Sequence, residues 1–255
     1  MINIKSKEEI EIMKAGGARH AEILNELAKI IEPGLSTMIL EEEAIRLIRE
    51  KGDKPAFLGY QPAGAKRPYP AALCVSINDE IVHGIPNEAE RILRQGDIVS
   101  LDLGLIHRGL ITDAAITVSV GAIDDEAKEL IKITKKALEA GIREAKGGNT
   151  VGDISQAIMD VVETSKFSIA EDLAGHGVGY KVHEDPFIPN IGRAGDGEKL
   201  VRGMVIAIEP MVNVGKVGIK VASDGYTIKT RDGSRSAHFE HTVAITENGS
   251  IILTA

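Results

Sequence analysis

Residues 93–102, LRQGDIVSLD, return further along the chain as residues 200–209, LVRGMVIAIE. Both fit Leu-x-x-Gly-x-(Ile/Val)-(Val/Ile)-(Ser/Ala)-(Leu/Ile)-acid. A second echo links residues 113–118, DAAITV, to residues 240–245, EHTVAI. Apolar strands resemble one another, so a single echo carries little. Two echoes in the same order, each ending or starting on a carboxylate, make duplication the better explanation. Asp102 then corresponds to Glu209, and Asp113 to Glu240. If the halves pack about a pseudo-twofold axis, four carboxylates converge there. Charge that dense is not left unpaired inside a protein. Divalent cations would neutralise it.

The elements around these echoes follow the same order twice. Ser6-Lys7-Glu8-Glu9 reads as a capping box, opening a helix to about Ile31 with Ile10, Met13, Ile23, Leu24, Leu27 and Ile31 near helical spacing. Pro33-Gly34 ends it. Ser36 or Thr37 caps a second helix to about Lys51. Residues 61–71, QPAGAKRPYPA, carry three prolines and read as an irregular loop. Leu73 to Ile77 and Ile81 to His83 form short strands about Asn78-Asp79. Beyond Gly121, Asp124 or Asp125 starts a helix to about Ala145, and Thr150 caps another to about Thr164. From Phe167 the chain reads as strands and loops. Helix, helix, sheet is followed by helix, helix, sheet, an α+β pattern. No stretch of linker composition separates the halves. The expectation is one domain over residues 1–255, with internal halves of about 1–121 and 122–255.

Within the first half, residues 96–118 read as two strands turning near His107-Arg108-Gly109. Folding about residues 107 and 108 sets Asp102 opposite Asp113, where Cβ atoms lie about 4.5–5.5 Å apart. Two carboxylates that close repel unless something positive lies between them.

Composition narrows the class. The chain is 43% hydrophobic and 27% charged, ordinary for a soluble globular protein. A formal net charge of -8 gives no reason to expect DNA binding. One cysteine excludes an internal disulfide and fits a reducing compartment. The start, MINIKSKEEIEIMK, lacks the apolar core of a signal peptide, and no apolar run approaches a membrane span. A cytoplasmic protein is expected.

The seven histidines sort by neighbourhood. His20 on a helix surface and His107 in a turn read as solvated. His238 shares the face of Glu240 in a strand and His241 does not; either can hydrogen-bond locally, and neither is a first choice as a ligand. His176 stands among glycines in AGHGVG, where backbone can approach a site closely. His183 lies in VHEDP and His83 in IVHGIP. Beside four convergent carboxylates, at least one of these three reads as a ligand.

These motifs together resemble the type I methionine aminopeptidases, metallopeptidases of the pita-bread fold. The resemblance covers nearly the whole length. It rests on FLGY at 57–60, VSIN at 75–78, HGIP at 83–86, Asp102, Thr112-Asp113, Gly175-His176-Gly177, HEDP at 183–186, IEP at 208–210 and FEHT at 239–242. It implies a curved antiparallel sheet covered by helices and five metal ligands, Asp102, Asp113, His176, Glu209 and Glu240. Asp113 and Glu240 would bridge two ions, Asp102 would bind one, and His176 with Glu209 would complete the other. Oxygen-rich ligation of this kind suits Mn, Fe(II), Co or Zn. By resemblance Glu209 doubles as the proton shuttle, His183 donates to the developing oxyanion, and His83 contacts the substrate near the scissile amide. Phe57, Tyr60, Cys74, Val182, Tyr226 and Phe239 would line an apolar slot for the methionine side chain. Phe57, Gln61, Val182 and Tyr226 depart from the residues common in bacterial members, and the 61–71 loop is longer. Asn78 and Ser236 would help hold a monovalent cation.

The implied activity is release of the N-terminal methionine from nascent chains before a small second residue, by a monomer. The basic residues Lys51, Lys54, Lys66 and Arg67 are candidates for docking at the ribosome. Prolidase and aminopeptidase P share the fold but carry a substantial further N-terminal domain, and type II methionine aminopeptidases carry a helical insertion. Neither feature is expected here. A non-catalytic binding protein on the same fold is disfavoured by retention of all five ligands.

Overall fold

The computed structural model describes residues 2–255. The first half holds α1 (Lys7–Lys29), α2 (Thr37–Glu50), β1 (Lys54–Pro55), β2 (Leu73–Ile77), β3 (Glu80–Val82), β4 (Ile98–His107) and β5 (Leu110–Ser119). The second half opens with α3 (Asp125–Glu144), α4 (Val151–Glu163), β6 (Ser168–Ile169), β7 (Ala174–Gly177) and β8 (Glu184–Pro189). It continues through β9 (Val205–Ile208), β10 (Met211–Asn213), β11 (Ile219–Val221), β12 (Ile228–Thr230), β13 (Ser236–His238), β14 (Glu240–Ile245) and β15 (Ser250–Ile252).

Caps set the helix starts. The Ser6 hydroxyl accepts the Glu9 amide while the Glu9 carboxylate accepts the Ser6 amide, the reciprocal box that the sequence predicts. Asp124 caps α3 through the Ala127 amide, and Asp153 closes on Thr150 at the start of α4. No helix among the described residues is long and apolar enough to cross a membrane.

The main sheet runs β1-β4-β5-β14-β9-β7-β8, with β2 also on β4 and β15 also on β14. Its pairings are antiparallel. At the centre, β4-β5 from the first half lies against β14-β9 from the second. That order is symmetric about the β5–β14 seam, as a duplicated unit requires. The seam is short: only Glu240–Ala115 and His241–Ala114 are in register there. At either end of it a threonine hydroxyl continues the pairing. Thr242 bonds both the amide and the carbonyl of Asp113, and Thr117 does the same for His238.

Strand periodicity sorts the two faces. Leu101, Leu103 and Leu105 join Ile23, Leu24, Leu27, Leu40, Ala44 and Ile48 of α1 and α2 in one core. Ile206, Ile208, Val243 and Ile245 join Leu130, Ala137, Ile154 and Ile158 of α3 and α4 in a second. The alternate positions face the other way and carry Asp102, Asp113, Glu240 and, just beyond β9, Glu209. Both faces are buried, which explains why β4 reads as a continuous apolar run.

The hairpin register differs from the sequence expectation. The turn is Arg108-Gly109, with φ of 49° and 87°, the left-handed pair of a two-residue turn. This moves the turn by one residue and the pairing by two on the second strand. Asp102 lies opposite Ala115, and Asp113 opposite Gly104. The two aspartates are diagonal neighbours on one face rather than a direct pair. His20 and His107 are also corrected. His20 is fully buried with Nδ1 on the Thr112 hydroxyl at 3.1 Å, because its helix face packs on β5. His107 is largely covered, its Nδ1 2.7 Å from Asp53.

Candidate metal centre

Asp102 leaves β4 and Asp113 leaves β5 on the same face. Glu240 begins β14, and Glu209 ends the β9 run at the same level. His176 enters from β7, where it pairs with Ala207 of β9. The five side chains line one cavity of about 600 Å³. Donor atoms of Asp113, His176 and Glu240 all lie within 4.8 Å of one another. His176 Nε2 is 3.4 Å from Glu209 Oε1 and 4.0 Å from Asp113 Oδ2. Its Nδ1 faces the Gly177 carbonyl at 3.0 Å. That contact, read as a donor, turns Nε2 inward as a lone pair, the tautomer a metal ligand needs.

The electrostatics are those of a site built for cations. Oδ1 of Asp102, Oδ1 of Asp113 and Oε1 of Glu240 are buried without a hydrogen-bond partner. Burial pushes Asp102 up to about 7, with Glu209 adding repulsion. Burial alone takes Glu209 to about 8. Asp113 is driven well above its ordinary value by burial and then by Asp102 and Glu209. Glu240 is driven the same way by burial, Asp113, Glu209 and Asp102. Burial takes His176 down to about 3, with His183 adding to it, so the imidazole is neutral at pH 7. Four carboxylates with orphaned oxygens and one neutral imidazole fit hard or borderline divalent ions, whose charge reverses this logic.

The cavity walls hold the other predicted residues. His83, His183, Phe57, Tyr60, Cys74, Val182 and Tyr226 all line it. Cys74 is the cross-strand partner of Asp102, so the apolar slot abuts the carboxylates directly. Burial raises its thiol, keeping it uncharged. Phe57 rests against Gly104, where a Cβ would meet its ring at 2.6 Å. His83 sits at φ 60°, an uncommon conformation for a non-glycine residue, and burial lowers it to about 4. Tyr60 Oη lies 2.9 Å from His183 Nδ1, and the His183 ring meets His176 edge-on at 4.4 Å.

One sequence expectation changes and another is met. Phe239 is not a wall of the cavity: it packs in the α3–α4 core, because its neighbour Glu240 takes the inward face. His238 does face the site, with Nε2 3.5 Å from Glu209 Oε2 and 4.0 Å from Glu240 Oε2. The period-2 pattern of 238–240 carried that signal. Further lining residues, Tyr69, Met211, Phe187 and Asn3, had no motif to announce them. Gln61 bonds the Ala65 carbonyl within its own loop at 2.9 Å. Asn78 and Ser236 are brought together, the Ser236 amide donating to the Asn78 carbonyl at 2.8 Å. Among the basic residues, Lys51 is matched to Glu22 and Arg67 to Glu88.

Residues 11–247 match the model of metallopeptidase family M24. A methionine aminopeptidase of Aquifex aeolicus is 47% identical over 99% of this chain and 98% of its own length. Methionine aminopeptidase 1 of Bacillus subtilis is 44% identical over 100% of this chain and 99% of its own. The crystal structure of a Thermotoga maritima methionine aminopeptidase superposes with a TM-score of 0.95 at 46% identity, over 100% of this chain and 99% of that one. A Pyrococcus furiosus prolidase shares the fold, with a TM-score of 0.77 at 24% identity, over 99% of this chain but 65% of its own. A duplicated sheet with four carboxylates and an imidazole gathered at its seam, and full-length likeness at this level, lead to one conclusion: the chain belongs to metallopeptidase family M24, among its methionine aminopeptidases.

Proposed function

We propose that this chain hydrolyses the first peptide bond of nascent proteins and peptides, releasing an N-terminal methionine that precedes a small residue. The observation that carries this reading is the cluster of buried carboxylates with orphaned oxygens at the base of a cavity with apolar walls. Asp102, Asp113, His176, Glu209 and Glu240 would hold two divalent ions, Mn, Fe(II), Co or Zn. When bound, such ions supply an acidified water and polarise a carbonyl.

The remaining roles belong to the chain's own side chains. The slot formed by Phe57, Tyr60, Cys74, Val182 and Tyr226 takes a thioether side chain without offering it a charge. Glu209 lies on the cavity wall and carries the proton from the attacking water to the leaving amine, a task that needs a carboxylate within hydrogen-bond reach of the reacting groups. His183 donates to the oxygen on which charge develops. His83 orients the scissile amide. The buried carboxylates also attract the free α-amino group of the substrate, which favours an exopeptidase. A monovalent cation beside Asn78 and Ser236, transient docking at the ribosome, a monomeric state, a cytoplasmic location and action as one domain over residues 1–255 complete the proposal.

The test is a Met-Ala-Ser peptide assayed with wild type and Glu209→Gln in the presence of Mn(II), Fe(II) or Co(II). Wild type should release methionine and the variant should lose nearly all activity. A wild type that releases none with any of these ions would overturn the peptidase reading. Cleavage of X-Pro peptides with no action on Met-Ala would overturn the substrate.

A further inference from the structure

His238 is 1% exposed, yet neither of its ring nitrogens has a hydrogen-bond partner. An imidazole is seldom buried so completely without one, since a buried donor that meets no acceptor gives up the hydrogen bonds water would supply. The ring is aimed into the metal centre and stops 3.5 Å from Glu209 Oε2. Glu240 Oε2 lies farther off, at 4.0 Å.

Two features make this placement more than packing. The first is the mounting. The Thr117 hydroxyl accepts the His238 amide at 2.9 Å and donates to its carbonyl at 2.8 Å, and His238 pairs with Met211 in the β10–β13 ladder. The backbone beneath the ring is therefore fixed. The second is the position of Glu209 between two imidazoles. His176 Nε2 approaches Oε1 at 3.4 Å, and His238 Nε2 approaches Oε2. His176 has its Nδ1 engaged by Gly177, so it presents a lone pair inward. His238 has no such constraint and can present a proton. The two rings thus face the two oxygens of one carboxylate with opposite chemical character.

We propose that His238 is a positioning residue for Glu209: its Nε2–H closes on Oε2 and holds the carboxylate plane while Oε1 faces the metal centre. This role rests on the reading of Glu209 as proton carrier. A carboxylate free to rotate about its last side-chain bond would lose alignment with the attacking water, and misplacement of about 1 Å at a reacting group can cost about 100-fold in rate. The competing possibility, His238 as a sixth metal ligand, would need Nε2 deprotonated.

Wild type, His238→Gln and His238→Leu separate these cases. The glutamine amide reaches as far as Nε2 and keeps a donor; leucine fills the space without one. The measurements are kcat and KM on Met-Ala-Ser, the number of Mn(II) ions bound by calorimetry, and the long-range 1H–15N spectrum of the Zn(II)-loaded wild type. His238→Leu should lower kcat about 10- to 100-fold with KM within about twofold and the ion count unchanged. His238→Gln should restore kcat to within about threefold. The spectrum should show Nε2 protonated. Three results would each overturn the role: wild-type kcat in His238→Leu, loss of one ion in that variant, or an unprotonated Nε2. A wild type that releases no methionine overturns the peptidase reading and this role together. An active wild type with any adverse result overturns the role alone.

Discussion

The Thr242 hydroxyl accepts the Asp113 amide at 2.8 Å and donates to the Asp113 carbonyl at 2.7 Å. One side-chain oxygen on the second half thereby fixes both backbone polar groups of a carboxylate-bearing residue on the first. Thr242 is fully buried, so neither group has water as a substitute.

Thr242→Val keeps the shape and removes the hydroxyl. It should lower stability by about 1–3 kcal/mol, the cost of leaving buried backbone groups unmet. Because the affected residue is Asp113, Mn(II) affinity should fall as well. Thr242→Ser should retain most of both. Urea unfolding and metal titration of the three proteins check this.

Metal binding should be pH-dependent in a defined direction. With Asp102 near 7 and Glu209 near 8 without the ion, both must lose protons to ligate. Below those values the proton competes with the metal, and above them it does not. Adding Mn(II) to chelator-stripped protein should therefore raise Tm more at pH 8 than at pH 6. At about 100-fold excess over Kd the stabilisation is about 2.7 kcal/mol. Thermal scans at both pH values, with proton release followed by calorimetry, measure it.

Lys5 and Glu184 form a buried pair at 2.6 Å, with Asn3 and the amides of Tyr180 and Lys181 on the same carboxylate. Burial works to raise Glu184, but these partners outweigh it and its carboxyl ends below the ordinary value. A depressed folded pKa gives stability that is present above the unfolded value, about 4.3, and is lost as pH falls through the folded one. The difference in stability between wild type and Glu184→Gln should thus be full at pH 7 and vanish towards pH 3. Glu184 adjoins His183, so Lys5→Met should also lower kcat. Urea unfolding from pH 3 to 7 and peptide kinetics test both parts.

Tyr60 Oη and His183 Nδ1 are in hydrogen-bond contact. With the phenol as donor, Nδ1 is the acceptor and the ring proton sits on Nε2, where an oxyanion donor needs it. Tyr60→Phe removes that bias while leaving the ring in the slot. The expected result is a fall in kcat of about tenfold, towards the lower range for acid–base groups, with KM for Met-Ala-Ser within about threefold. A loss confined to KM would assign Tyr60 to the pocket wall alone.

Much of the centre was legible because duplication is visible wherever a strand motif ends on a carboxylate. Asp102 with Glu209 and Asp113 with Glu240 needed only the two echoes. The hairpin register was not legible in detail: the turn is set by left-handed φ at Arg108 and Gly109, and His-Arg-Gly allows more than one placement. His20 read as a surface residue because a lone polar group on an amphipathic helix gives no sign of the threonine waiting on the opposing strand. Period 2 placed His238 on the face of Glu240, where it lies. The same alternation turns Phe239 to the opposite face, into the helix core, and only its aromatic character argued for the pocket. Choosing His176 over His183 as a ligand lay beyond spacing; it depends on the β7–β9 pairing, which seats the His176 strand beside the carboxylates.

The seam between the halves has only two backbone register pairs and two threonine hydroxyls. The carboxylates that face it come from both sides, two from each repeat. Ions held among them would tie one repeat to the other across this seam, as a rivet joins two plates. Chelation should then loosen the joint itself: amides of Ala114, Ala115 and His241 should exchange hydrogen sooner than those in the middle of β4, and the two repeats should part along that line first.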